Sequence, residues 1–178
     1  MFWQSRQFKR YLDENWQRLY RLAYAWCHDP QLASDIVQET LSRTFKQHYQ
    51  FENDKAINVW MYKVMSRVWF DHYRKQRDFV DIDDEPLQSE SNTEEEQSRH
   101  EVLSHIQHAM SQLKVDHRQI VTLIDIEECS YSEVAEILSI PVGTVMSRLN
   151  RARHQLRELL QEHAPFKQHK HARLRRVK

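Results

Sequence analysis

One glycine, four prolines and two cysteines are all that the 178 residues contain of the types that punctuate or cross-link a chain. Tight hairpin turns draw on glycine, so a sheet built from hairpins is excluded, and the abundance of Leu, Gln, Glu, Arg and Lys predicts an all-α fold. Cys27 and Cys129 lack metal-ligand spacing and are expected to be buried and reduced. No apolar run approaches the roughly 18 residues of a membrane span, and MFWQSRQFKR lacks the apolar stretch of a signal peptide, so a cytoplasmic protein is expected. Eleven histidines include no H-E-x-x-H or comparable ligand spacing. No catalytic residue, metal site or cofactor is therefore predicted, and His163, His169 and His171 offer at most stray metal binding.

What is present is charge, sorted into blocks. The formal net charge is zero. Residues 1–77 nevertheless carry 13 Lys/Arg against 8 Asp/Glu, residues 78–98 none against 9, and residues 99–178 13 against 9. Local field decides what a surface attracts, so the chain reads as two small basic helical domains, 1–77 and 99–163, joined by a flexible acidic linker, 78–98, with a basic tail at 164–178. The linker DFVDIDDEPLQSESNTEEEQ buries too little to offset ordering entropy. It is either a solvated connector or a polyanion mimic for a basic channel. Of the 19 aromatic residues, 16 lie in the first domain, which gives the two domains different cores.

In the first domain, Phe8, Tyr11, Leu12, Trp16, Leu19, Tyr20, Ala23 and Trp26 recur at helical spacing over 6–27. Asp29-Pro30 reads as an N-cap with proline at the first helical position, opening a second helix to about His48. Its outer face carries a polar ridge of Asp35, Gln38, Glu39, Ser42 and Arg43. After the loop YQFENDK, a third helix from about Ala56 to Arg77 turns Trp60, Met61, Val64, Val68 and Trp69 inward and gathers Lys63, Arg67, Arg74, Lys75 and Arg77. Rings beside a basic helix suit single-stranded nucleic acid, which stacks on aromatics and is neutralised by cations, although most of these rings are needed as core.

The second domain opens with two amphipathic helices, over 99–112 (Val102, Leu103, Ile106, Met110) and 116–126 (Ile120, Val121, Leu123, Ile124). Ser130 and Glu133 then fit a capping box, with Cys129 and Val134 as its hydrophobic staple, so a helix starts at Tyr131 and ends near Leu138. Ser139-Ile140-Pro141 leads into another helix, the spacing of a helix-turn-helix. Advancing about 100° per residue, Val145, Leu149, Ala152, Leu156 and Leu159 form the inward stripe. Gly143, Ser147, Asn150, Arg151 and His154 point outward, flanked by Met146 and Arg157, with Arg148 and Arg153 at the borders. No carboxylate joins this face before Glu158, which predicts a DNA-binding surface. Gly143, in the first turn, lets a phosphate approach the backbone N–H groups and the positive helix end.

Three stretches together resemble the extracytoplasmic-function (ECF) sigma factors of the sigma-70 family. These are Asp35-Ile-Val-Gln-Glu-Thr40, Trp60-Met-Tyr-Lys-Val with Asp71-His72-Tyr73-Arg74, and Val142-Gly-Thr-Val-Met-Ser-Arg-Leu-Asn-Arg-Ala-Arg153. The resemblance implies that Asp35, Gln38, Glu39 and Ser42 dock on the β′ clamp helices of core RNA polymerase, with further contact to the β subunit. It implies that Phe51, Asn53, Lys55, Lys63, Arg67 and Arg74 open and hold the minus-ten element as single strand. Gly143, Thr144, Met146, Ser147, Arg148, Asn150, Arg151 and Arg153 would meet the double-stranded minus-thirty-five element. It further implies an anti-sigma partner and a linker threading the polymerase's RNA path. Met146 stands where the family usually has Lys or Arg, and Arg67 where Asn is common, which leaves the promoter sequence open. Two rivals use the same residues without initiating transcription: a sigma mimic that sequesters an anti-sigma protein, and a DNA-binding regulator independent of polymerase.

Overall fold

The computed structural model describes residues 2–46, 53–77 and 94–162, and among these no strand occurs. Three helices form the first module: α1 (Phe2–Cys27), α2 (Pro30–Lys46) and α3 (Asp54–Arg77). Four helices form the second: α4 (Glu94–Ser111), α5 (Val115–Val121), α6 (Tyr131–Leu138) and α7 (Val142–Glu162), with a π turn over Thr122–Ile126 continuing α5. Among the described residues no helix is long and apolar enough to cross a membrane. The acidic stretch 78–93 and the tail from 163 lie outside the described residues.

Local chemistry sets the helix ends. Asp29 Oδ1 accepts the Leu32 N–H at 2.9 Å, the cap expected ahead of Pro30. Asn53 Oδ1 accepts the Ala56 N–H at 2.9 Å, so α3 starts at Asp54, two residues before the periodicity alone indicates. Ser130 and Glu133 exchange both hydrogen bonds of the capping box, and Ser139 closes α6 in the left-handed conformation at φ 54°. Helix α4 begins at Glu94, inside the segment read as linker. Its first three residues are glutamates, which stabilise the positive end of a helix.

The first module packs Leu19, Leu22, Trp26, Ile36, Val37, Met61, Met65 and Trp69 together, and the second packs Leu113, Ile120, Leu123, Val134, Ile137, Val145 and Leu149. These two cores, one rich in aromatics and one aliphatic, join in a single buried cluster. Two expectations need correction. Trp60 is only partly buried, and Tyr62, on another side of α3, is buried in its place because the second module covers it. On α4, Val102, Leu103 and Ile106 are 37–54% exposed, since the helix meets the core only from Ala109 onward.

The seam between the modules is polar at its centre. Arg118, 8% exposed, donates from Nη1 to the Trp26 carbonyl at 2.9 Å and from Nη2 to the Ser111 and Leu113 carbonyls at 3.2 and 3.1 Å. It thereby satisfies the carbonyl ends of α1 and α4 at once and places a cation at both negative helix ends. Trp26 Nε1 donates to Thr122 Oγ1 at 2.7 Å, while that hydroxyl bonds back to the Arg118 and Gln119 carbonyls, each at 3.0 Å. The π turn, closed by the Glu127 N–H on the Thr122 carbonyl at 3.0 Å, carries the chain to Glu127. There the carboxylate takes Arg18 Nε at 2.5 Å and the Tyr62 hydroxyl. Burial and the Glu127 carboxylate push the Tyr62 phenol well up, so it remains a donor.

Cys27 and Cys129 are free thiols, the first half-buried and the second buried. Burial pushes both up to about 11, which keeps them protonated and unreactive. His28, at the end of α1, sits at φ 55° with a buried Nε2 that has no hydrogen-bond partner. Burial, with Arg118 nearby, lowers it to about 4.

Arg118→Met is expected to cost about 3 kcal/mol or more of unfolding free energy in urea titration, because two buried carbonyls and one half-buried one lose their donor. A folded-state His28 that resists protonation leaves the proton to the unfolded chain. Stability is therefore full above about pH 6.5, the ordinary histidine value, and falls as pH drops toward 4. Solvent screening limits the loss to about 1 kcal/mol. His28→Asn, which tolerates the same positive φ, should flatten that part of the urea midpoint-versus-pH curve relative to wild type.

Candidate nucleic-acid interface

The outward face of α7 is built as its sequence pattern requires. Val145, Leu149 and Ala152 are at most 3% exposed and anchor the helix on α5 and α6, which turns Ser147, Asn150, Arg151, His154 and Arg157 to solvent. Met146 is 53% exposed. Thr144 is half-buried and its carbonyl accepts the Ser147 hydroxyl at 3.1 Å. A Cβ on Gly143 would meet nothing within 4 Å, and its φ is not positive. Neither internal packing nor backbone strain calls for glycine there, so any reason for it lies outside the folded chain.

Two of the predicted contact arginines are held rather than free. Arg148 Nη1 lies 3.2 Å from Asp116 Oδ2. Arg153 grips Asp125 with two donors, Nε at 3.1 Å and Nη2. Sequence reading missed both aspartates as partners, because they sit on other elements, 32 and 28 residues upstream. Each fixes a long flexible side chain at the rim of the face and dilutes its charge. Asn150 and Arg151 stay exposed at the centre.

On the first module, Asp35, Gln38 and Ser42 are exposed and Glu39 is half-buried. Glu39 is netted: Arg43 Nη2 lies 2.6 Å from its Oε1 and His72 Nε2 3.2 Å from its Oε2. Burial pushes its carboxyl up, but the hydrogen bonds from His72 and Arg43 outweigh that and hold it below the usual carboxylate range. Asp71 stands 3.5 Å from Arg43 and completes the network. The ridge is an ordered charged surface.

Of the residues expected to hold single-stranded nucleic acid, Phe51 lies outside the described residues. Arg67 and Arg74 are exposed, whereas Lys55 and Lys63 reach α6, with Nζ 2.8 Å from Glu133 Oε1 and 3.0 Å from Glu136 Oε1. Asn53, the cap of α3, lines a cleft of about 430 Å³ with Trp60, Glu133 and Glu136. The structure thus brings Asn53, Lys55 and Lys63 to one edge of the seam and leaves Arg67 and Arg74 farther along α3.

Comparison with known proteins decides the family. Sigma-70 region 2 matches residues 12–79, and sigma-70 region 4 matches residues 104–156. The chain is an ECF member of the sigma-70 family. Within the family it is 32% identical over 155 residues to the ECF sigma factor SigE of Mycolicibacterium smegmatis, covering 83% of this chain and 59% of that relative's length. It is 31% identical over 136 residues to sigma factor SigV of Bacillus subtilis, covering 76% and 80%. Among solved structures, it superposes on the sigma factor RpoE of Bartonella quintana, crystallised with the anti-sigma factor NepR, with a TM-score of 0.70 and 25% identity over 87% of this chain and 97% of that one. The aromatic module is therefore region two, and the capping box, left-handed turn and α7 are the region-four helix-turn-helix.

Gly143→Ala is expected to leave thermal unfolding unchanged or raised by up to about 1 kcal/mol, because alanine is the better helix former and its methyl meets no atom. Duplex binding measured by fluorescence anisotropy should nonetheless weaken. Equal binding by the two proteins would remove close phosphate approach as the reason for the glycine.

Proposed function

We propose that this ECF-family chain binds core RNA polymerase and directs promoter recognition and melting, with no catalytic residue or cofactor of its own. Region two docks on the β′ clamp helices through Asp35, Gln38, Glu39 and Ser42. Phe51, Asn53, Lys55, Lys63, Arg67 and Arg74 hold the opened minus-ten strand, rings and amide beside bases and cations beside phosphates. Region four lays α7 in the major groove of the minus-thirty-five element. There Asn150 and Arg151 read base edges, with Ser147 and Met146 beside them, while Gly143 and Thr144 take phosphate at the helix start.

The single observation that carries this reading is the outward side of α7, exposed and free of carboxylate from Val142 to Arg157. In this arrangement Arg148 and Arg153, steered by Asp116 and Asp125, position the helix on the phosphate backbone rather than read sequence. The acidic linker follows the polymerase's RNA path. An anti-sigma protein is the proposed inhibitor, supported by the similarity to RpoE, which was solved with one. Promoter work of this kind places the chain in the cytoplasm.

Sequencing the transcripts made by core polymerase reconstituted with this chain tests the activity and the promoter together. Specific starts preceded by a shared pair of elements are expected; their absence from every genomic template would favour the mimic. Asp35→Lys with Glu39→Lys should weaken core association by about tenfold or more, and a DNA-binding regulator working without polymerase would be unaffected. Arg151→Ala and Asn150→Ala should each cost about 1–3 kcal/mol in upstream-element binding and relax specificity at one base pair.

A further inference from the structure

Two of the strand-binding cations proposed above are already occupied, and by the protein itself. Lys55 and Lys63 stand a little over two turns apart on α3, and each meets a carboxylate of α6, Glu133 at 2.8 Å and Glu136 at 3.0 Å. Helix α6 belongs to region four, so this contact exists only while the modules are closed on one another. The closure has its own lock, since Glu127 binds Arg18 and Tyr62 of region two with its side chain 7% exposed, and Arg118 ties α5 to the end of α1. Lys55, Glu133 and Glu136 also line the cleft faced by Asn53, Val59 and Trp60. It offers one aromatic ring and one amide, the groups that would meet a base, beneath a roof of two carboxylates.

From this geometry we propose that Glu133 and Glu136 act as phosphate surrogates, an intramolecular competitor that weakens single-stranded DNA binding by region two while the chain is closed. An ammonium held at contact distance by a carboxylate has much of its charge already neutralised, so a phosphate gains less by binding there and closure competes with strand binding. Glu133 holds two posts: one oxygen takes Lys55 while the other accepts the Ser130 N–H at 2.7 Å. Burial pushes its carboxyl up, but the hydrogen bonds from Lys55 and Ser130 outweigh burial and hold it below the usual range, so it is fully charged at neutral pH. Asp35, Gln38 and Ser42 remain exposed on α2 in the same closed form. The closed chain thus presents its docking ridge while withholding its strand site, which orders the two events: polymerase contact first, strand capture after the modules part. The inference rests on the proposed role of Lys55 and Lys63.

The test is a charge cycle on the full chain. Binding of a fluorescent single-stranded 12-mer of mixed sequence is measured by anisotropy at low salt for wild type, Glu133→Gln/Glu136→Gln, Lys55→Gln/Lys63→Gln, and the quadruple variant. Glutamine keeps the capping box intact at position 133, and thermal unfolding verifies the fold. The glutamate pair of changes should tighten binding about three- to tenfold, the sum expected of two exposed pairs released, and the same changes should give no gain once Lys55 and Lys63 are gone. An unchanged affinity overturns the proposal, and so does an equal gain in the lysine-free background, which would mean a general loss of negative field. Core polymerase association, measured in parallel, should be the same for wild type and the glutamate variant. Absence of core association in wild type would remove the sigma-factor reading while leaving the strand competition to stand or fall on the cycle.

Discussion

One guanidinium holds the two halves of this protein in register. Arg118 is buried, and its donors end on carbonyls from α1 and from the α4 terminus. A helix end buried without partners would leave several carbonyls unsatisfied at roughly 1–3 kcal/mol each. Both ends point at the seam, and a lysine, with its compact point charge, could not span them as a planar fork does. The π turn after α5 follows from the same region: widening the helix by one residue per turn sets Thr122 under Trp26 and carries the chain to Glu127. Seam chemistry therefore fixes the position of α6, and α5 and α6 together position α7.

The DNA-facing helix shows how little of a site's geometry resides in the site. Its inward stripe is aliphatic and unremarked by charge, and it needs only a flat apolar partner. The rim arginines are different, because Arg148 and Arg153 have long stems whose tips could sweep a wide arc. Asp116 and Asp125 restrict them, each from an element that touches no DNA in the proposed arrangement. In the proposed arrangement centre and rim divide the labour: Asn150 and Arg151 keep their hydrogen-bonding groups available for bases, and the held pair would set register along the DNA backbone.

Much of this was legible beforehand. The caps at Asp29 and Ser130, the stripe of α7 and the polar ridge of α2 are each set within one or two helical turns, where side chain and backbone meet at fixed spacing. The acidic start of α4 has the composition of a linker, yet a run of glutamates at a helix opening favours the helix that forms from Glu94. Val102, Leu103 and Ile106 carry a correct helical period, but periodicity cannot say where a core ends, and that helix overhangs it. Tyr62, Glu127 and Arg118 gave no local signal at all.

Sequence alone determined the helical class, the division into a ring-rich and an aliphatic half, the helix-turn-helix and the family, since all of these rest on contacts between near neighbours or on runs of residues that need no partner. Only the folded chain decided which cations are free. Lys55, Lys63, Arg148 and Arg153 look alike in one dimension, yet each acquires a carboxylate from an element 28 to 78 residues away. Charge acts through space and falls off with distance rather than with residue number, so its pairing is settled only when the helices pack.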